Sequence, residues 1–403
     1  MTLTESDYTP LGKFYSSSWE MSSDSSFITC KAYDILYGLQ EIFVDIPYEK
    51  NAEGKHAAPE NMSVYDLIVK LIEFSNEYKR SHEIYGLDIE CELDEELKNI
   101  IVPVVLFDNT KTVWDTLQDA ANFAQCFIYA NREGKLVAKC DMPVSATAPS
   151  VIADAYISPK NSFSYSLPLQ SKCIVNRVVM PYSELRLTDS LKDDEITVER
   201  TDIQKIVDDL GIRYAVYAPM KNIHLVYDEI IIQTNIGGNK QVISDDQIII
   251  CKIYNNGAYF EFIGIDEHDI EIWINQSANS TDRYKIENSE LAKDSTKKMG
   301  IRVDGLCEYS AEKSQFMITK NDGATLAATA AEKILRKYEN GITYTEAEWK
   351  GSPKLNLSGN INCSNRYETD EIGNYVSNPF ECMSNEFTLE DGLRMKSKLR
   401  KCI

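Results

Sequence analysis

Histidine is scarce in this sequence: there are four in 403 residues, His56, His82, His224 and His268, and none has a second His or a Cys three to five positions on. That excludes zinc sites of the HExxH or Cys/His kind, whose ligands must converge from one short stretch. CxxC pairs are also missing, and the ten cysteines lie far apart, so they read as reduced thiols serving mostly as small core residues. There is no GxxxxGK[ST] loop and no GxGxxG; Gly237-Gly238 reads as a hairpin turn, leaving a nucleotide no anchor. GxSxG is absent too. No run approaches the roughly 20 apolar residues that cross a bilayer, and Met1 to Pro10 has neither a basic region nor an apolar core. Positive charge is in deficit: 42 Lys and Arg against 63 Asp and Glu leave a formal charge of −21, which repels phosphates and anionic lipid. The expectation is therefore a protein without cofactor or metal, without specific nucleic-acid binding, without a stable membrane anchor and without catalytic activity.

What is present is the makeup of a globular protein, 43% hydrophobic and 26% charged, at a length that predicts two to four domains. Acidic pairs at Asp193-Asp194-Glu195, Asp208-Asp209 and Asp266-Glu267-His268-Asp269 could serve calcium or glycoside chemistry, but carboxylates are so numerous that solvated loops explain them as well. Three helices stand out by period. Ser63 precedes Val64, Leu67, Ile68, Leu71 and Ile72, with Asp66 placed as in a capping box; Thr112 and Asp115 repeat that start before Val113, Leu117, Ala120, Ala121 and Ala124. A third runs from about Thr325 through Ala327, Ala331, Ile334 and Leu335 to a stop at Asn340-Gly341.

Elsewhere the pattern is β. Phe127-Ile128-Tyr129 and Leu136-Val137-Ala138 flank a polar turn, Asn131 to Gly134, and β-branched and aromatic residues dominate Ser162–Tyr182, Arg213–Thr234 and Val242–Ile274. The polar stretches Leu187–Asp209 and Asn275–Lys298 suggest insertions or excursions, and Asn51–Pro59 reads as a linker.

Four segments, in order, resemble the central hub family of bacteriophage tail tips and baseplates, also found in contractile bacteriocins and injection systems. Pro10 to Leu39 (PLGKFYSSSWEMSSDSSFITCKAYDILYGL) is similar to the family's passage of P-L-G strand, Trp and A-x-D. Lys111 to Cys140 resembles its small α/β domain with an x-x-G-K-L turn, and Asn161 to Met180 its entry into a second barrel. Asn340 to Ile361, followed by Ser384 to Lys398, is similar to its G-x-P-x-L-x-x-G-D turn and closing strand. Gly351, Pro353 and Leu355 match, Gly359 fits with one extra residue, and Asn360 stands where Asp is usual. Two departures stand out: the chain begins almost on the P-L-G segment, without the family's opening strands, and stops after the second barrel, where many relatives continue into a peptidase or fibre.

The resemblance implies an α+β, β-rich fold: a partial first tail-tube-like β-barrel over 1–50, an α/β domain over 51–150, and a second β-barrel over 151–403 with an insertion near 187–320 and a helix at 325–340. It further implies a homotrimeric structural hub that adapts a six-fold tail tube to a three-fold tip and leaves an axial channel for DNA or the tape measure. The implied partners are a tail-tube or distal tail protein, a tip, spike or fibre protein, the tape-measure protein, and a separate chain completing the first barrel. The implied place is the virion tail, after synthesis in the bacterial cytoplasm. The alternative is a carbohydrate-binding or cell-wall-degrading tail module, for which Trp19, Trp114, Trp273 and Trp349 are the candidate aromatic platform. One surface is expected from spacing alone: Arg394, Lys396, Lys398 and Arg400 alternate with Met395, Ser397 and Leu399, so a strand would carry all four cations on one face, as a charge-protected edge or an assembly interface.

Overall fold

A computed structural model describes residues 12–21, 28–82, 88–140, 154–166, 175–188, 196–198, 203–208, 211–219, 223–227, 230–236, 239–255, 257–263, 272–276, 283–294, 308–338, 344–352, 355, 357, 359–369, 375–388 and 393–401. Over these the fold is α+β and rich in strands. The chain enters through two antiparallel strands, β1 (Tyr15–Met21) and β2 (Ile28–Tyr33), which pair only with each other among the described residues.

An α/β unit follows. Strands β3 (Glu49–Lys50) and β4 (His56–Ala57) fold around Asn51, whose Oδ1 accepts from the N–H groups of Glu53 and Lys55 at 2.9 and 3.0 Å. Strand β5 (Glu60–Ser63) runs into helix α1 (Val64–Ser81), where Ser63 Oγ accepts from the Asp66 N–H at 3.0 Å and so satisfies an amide that the first turn leaves unpaired. After β6 (Cys91–Leu93) and β7 (Ile101–Val104), helix α2 (Val113–Ala124) opens on the full reciprocal box between Thr112 and Asp115 and ends at Gln125 in the left-handed region. Strands β8 (Cys126–Ala130) and β9 (Leu136–Cys140) then form a hairpin whose turn needs Gly134 at φ +75°.

After β10 (Ala155–Ile157), β11 (Ser162–Ser166) and β12 (Arg177–Leu187) the chain makes a long excursion. It comprises β13 (Ile196–Val198), β14 (Ile203–Asp208), β15 (Gly211–Pro219), β16 (Ile223–His224), β17 (Val226–Tyr227), β18 (Ile230–Ile236), β19 (Asn239–Val242), β20 (Ile248–Tyr254), β21 (Gly257–Phe262) and β22 (Ile272–Gln276). Strands β23 (Arg283–Asp294), β24 (Glu308–Ser310), β25 (Ile318–Thr319) and helix α3 (Gly323–Tyr338) complete it. Two expectations are corrected here. Asn51–Pro59 is no linker, because β4 is sandwiched between β3 and β17. The polar run Asn275–Lys298 holds the strand β23, which pairs with all of β12 on one side and with the two residues of β16 on the other, its charged side chains lying mostly exposed. The Gly237-Gly238 and Asn340-Gly341 turns lie outside the described residues, although β18 and β19 do pair across the first of them.

Two cores result. Leu67, Ile68 and Leu71 of α1 and Val113, Leu117 and Ala120 of α2 pack with Val178 and Met180 of β12, Phe316, and Ala327 and Ile334 of α3, so the unit begun at residue 35 is completed about 300 residues later. On its other side, Tyr48, Val104 and Leu106 pack against Tyr214, Val216, Phe260 and Phe262 of the sheet ordered β14-β15-β21-β20.

The last unit is a six-stranded sheet ordered β10-β27-β28-β29-β26-β11, using β26 (Tyr344–Trp349), β27 (Asn360–Thr369), β28 (Tyr375–Thr388) and β29 (Arg394–Lys401). Its end strands, β10 and β11, are joined by the short turn 158–161, held by the Ser162 N–H donating to the Ser158 carbonyl at 3.0 Å. A flat sheet would separate them by about 24 Å, whereas five residue steps reach at most about 18 Å, so the sheet is rolled. Its inside is filled by Trp349, Leu355, Ile361, Phe380, Met395 and Leu399. A polar chain through that interior is satisfied: Trp349 Nε1 donates to Ser397 Oγ at 2.9 Å, and Ser397 Oγ donates to Asn385 Oδ1 at 2.6 Å. Gly351 of the G-x-P-x-L segment has φ +80°, and a Cβ there would lie 2.6 Å from Met395 Cγ, so both backbone and packing demand glycine.

Candidate interaction surfaces

The strand pair β1–β2 is amphipathic in an unusual sense. Residues directly opposite each other share a face, which puts Trp19 with Cys30, Met21 with Ile28 and Ser16 with Ala32 on one side. Ser18 with Lys31, Glu20 with Thr29 and Tyr15 with Tyr33 fall on the other, where Lys31 and Glu20 form an exposed ion pair at 4.0 Å. The first face is apolar, yet Trp19, Met21 and Ile28 are 68, 65 and 63% exposed. Where that pair meets the α/β unit, a groove of about 470 Å³ is lined by Phe14, Tyr33, Tyr37, Trp114, Ile128 and Leu357. Tyr33 and Tyr37 stack at 4.0 Å, and Leu357 reaches the groove from the rolled sheet. Arg132 of the β8–β9 turn holds that approach, its Nη2 donating to the Leu355 carbonyl at 2.6 Å.

Of the four tryptophans, Trp19 is in the open, Trp114 is half-buried in the groove and Trp349 lies in the rolled sheet's core. Trp273 lies in β22, paired with Thr197 and Gln233.

The basic segment forms a strand as expected, but the edge reading is corrected. β29 is interior, between β28 and β26, and both neighbours supply acids in register with its cations. Lys396 stands opposite Glu348 and Glu386 and lies 3.7 Å from Glu346; Lys398 stands opposite Glu346; Arg394 lies 3.9 Å from Glu348. Arg400 keeps the alternation but is covered rather than solvated: it is buried, hydrogen-bonds the buried Glu381 opposite it and lies over the Phe127 ring at 5.3 Å.

Polar networks elsewhere join elements rather than opening a cleft. Lys252 Nζ donates to Asp45 at 2.6 Å and the Tyr254 hydroxyl donates to the same carboxylate, fastening segment 41–48 to β20. Arg213 Nη1 and the Tyr259 hydroxyl donate to the two oxygens of Glu261 at 2.6 and 2.7 Å; burial, then the Glu261 hydrogen bond, push Tyr259 up to about 12. His56 hydrogen-bonds the Tyr48 carbonyl, His82 stacks on Tyr78 and His224 is buried beside Tyr227, so these three stand apart. Among the described residues, possible metal donors gather at Asp94, Glu96 and Cys140, where Asp94 already caps a short 3-10 turn. Asp193-Asp194-Glu195 and Asp266-Glu267-His268-Asp269 lie outside the described residues. The cysteine expectation needs amending: Cys363 and Cys382 are buried, their thiols pushed up to about 12 by burial, whereas Cys30 and Cys251 are exposed.

No family model matches the chain, and no curated protein matches it. Among solved structures it is similar to a tail protein from Neisseria meningitidis MC58, at 12% identity and a TM-score of 0.42, covering 96% of this chain and 79% of that one. It is similar also to a 43 kDa tail protein of prophage MuSo2 from Shewanella oneidensis, at 11% identity and a TM-score of 0.42, covering 96% and 78%. At such scores the likeness carries no argument about what this chain does.

Proposed function

We propose that the chain is a non-catalytic structural subunit of a phage-like tail tip or baseplate. It works there as a homotrimeric ring that adapts a six-fold tube to a three-fold tip around an axial channel, in contact with tail-tube or distal tail, tape-measure and tip proteins. The ordered sequence segments support this reading, and the observation that carries it is the β1–β2 pair: a two-stranded sheet is marginal in water by itself, and among the described residues this one has an exposed apolar face and no further strand at either edge. Covering each of Trp19, Met21 and Ile28 stabilises the assembly by about 1.5–3 kcal/mol when burial is complete. Strands from a neighbouring polypeptide, added at either edge, would build the first segment into a larger sheet and close over that face. The −21 charge suits a channel wall that must pass DNA without holding it.

The test is incorporation. A Trp19→Ser, Met21→Ser, Ile28→Ser variant is expected to fold alone and to be missing from particles, with the wild-type chain present at three copies per tip. Normal incorporation of the variant, or a copy number of one or six, overturns the reading. The exposure of Trp19 also favours a second reading, a glycan-binding tail module, which binding of the isolated chain to cell-wall glycans would support.

A further inference from the structure

The β8–β9 hairpin joins Cys126, the residue after the left-handed Gln125 that ends α2, to Cys140, the last residue of β9. The two are direct partners in the antiparallel register. The hydrogen-bonding phase of that pair follows by counting. Asn131 N–H donates to the Lys135 carbonyl at 2.9 Å, so 131/135 is a hydrogen-bonded site. Alternation then makes 130/136, 128/138 and 126/140 the non-hydrogen-bonded positions. At such positions opposed Cα atoms lie about 4.5 Å apart with their side chains on one face, within the range of about 4.4–6.8 Å that a disulfide requires. Both cysteines are thiols and both are half-buried at the margin of the first core. Beside Cys140, the carboxylates of Asp94 and of the exposed Glu96 lie within 4.8 Å of its sulfur.

We infer that Cys126 and Cys140 form a latent cross-strand disulfide, closed by an oxidant of the peroxide class and opened by thiol reductants. The chemistry balances with hydrogen peroxide as the oxidant. One thiolate attacks a peroxide oxygen, breaking the O–O bond and giving a sulfenic acid and, after protonation, water; the second thiolate attacks the sulfenic sulfur, forming S–S and releasing the oxygen as a second water. The two sulfurs together lose two electrons and the peroxide gains them. The bond would pin the end of α2 to the exit of the hairpin and close a short loop, restricting the unfolded chain. The buried Cys363 and Cys382 are poor competitors, since burial holds both in the unreactive thiol form. The inference is independent of the tail-tip reading, because it concerns the isolated chain.

The experiment uses the full reduced chain, treated with stoichiometric hydrogen peroxide, alkylated, and mapped without reduction. The expected result is a peptide pair linked through Cys126 and Cys140, two fewer alkylatable thiols per chain and a raised unfolding midpoint, all reversed by dithiothreitol. The link should form faster in the folded chain than in urea. Cys126→Ser or Cys140→Ser, each conservative at a half-buried site, should abolish the link and leave the remaining sulfur to be trapped as sulfenic acid by dimedone. Full alkylation of both residues after the peroxide is consumed overturns the inference, as does a link from either cysteine to a different partner in the folded wild type.

Discussion

Strand β29 and the β1–β2 pair carry the same alternation of polar and apolar residues, and the fold treats them in opposite ways. In β29, Met395 and Leu399 point into a filled interior while Arg394, Lys396 and Lys398 face out towards acids on both neighbouring strands. In β1–β2, Trp19, Met21 and Ile28 share a face just as cleanly, yet among the described residues no second layer lies against it. Period two decides which residues share a face; only the opposing layer decides whether that face is buried. A strand pair whose apolar side stays open among the described residues is the surface on which the proposed neighbouring polypeptide would sit.

Substitutions in the two regions should differ accordingly. The largest effect is expected at Arg400→Met, which leaves Glu381 buried without its cation: a loss of about 3–5 kcal/mol in denaturant unfolding, largely recovered by adding Glu381→Leu. Leu399→Ala, in the filled interior, should cost about 2–5 kcal/mol. Lys396→Glu places a fourth carboxylate among Glu346, Glu348 and Glu386 and should cost about 1 kcal/mol, reduced by salt, so a reversal of Arg394, Lys396 and Lys398 together weakens the fold itself and not merely a docking face. The pH dependence has a definite sign. Burial raises the Cys363 and Cys382 thiols to about 12, so their contribution is complete below the ordinary thiol value and falls as pH rises through it towards 12. The unfolding midpoint of a Cys363→Ala, Cys382→Ala variant should accordingly fall less steeply above pH 9, near the unshifted thiol value. Trp19→Ser should be the smallest, within about 0.5 kcal/mol of wild type, because an exposed side chain has little folded-state packing to lose.

Local signals in the sequence were strong wherever the partner was local. Ser63 and Thr112 marked helix starts because the cap and the amides it serves lie three residues apart, and the Asn131–Gly134 turn marked its own hairpin. Long-range partners were not visible. Asn51–Pro59 looked like a linker because Val226 and Tyr227, which extend its sheet, lie about 170 residues away. The run Asn275–Lys298 reads as an excursion because its residues are mostly charged or polar, and its partner β12 lies about 100 residues before it. The basic strand looked like an edge because nothing near it in sequence announces that Glu346 and Glu348 stand in register beside it. Trp19 and Trp114 are legible as candidate platform residues, but the groove beside Trp114 is not, since Leu357 and Trp114 meet there from distant segments.

The account turns on whether the open face of β1–β2 is covered in the working assembly. An image of the assembled tail tip, resolved to side chains, decides this directly. The account predicts three copies of the chain on the axis, with Trp19, Met21 and Ile28 buried beneath strands of a neighbouring polypeptide; a different copy number, or those three side chains still facing solvent in the finished particle, would contradict it.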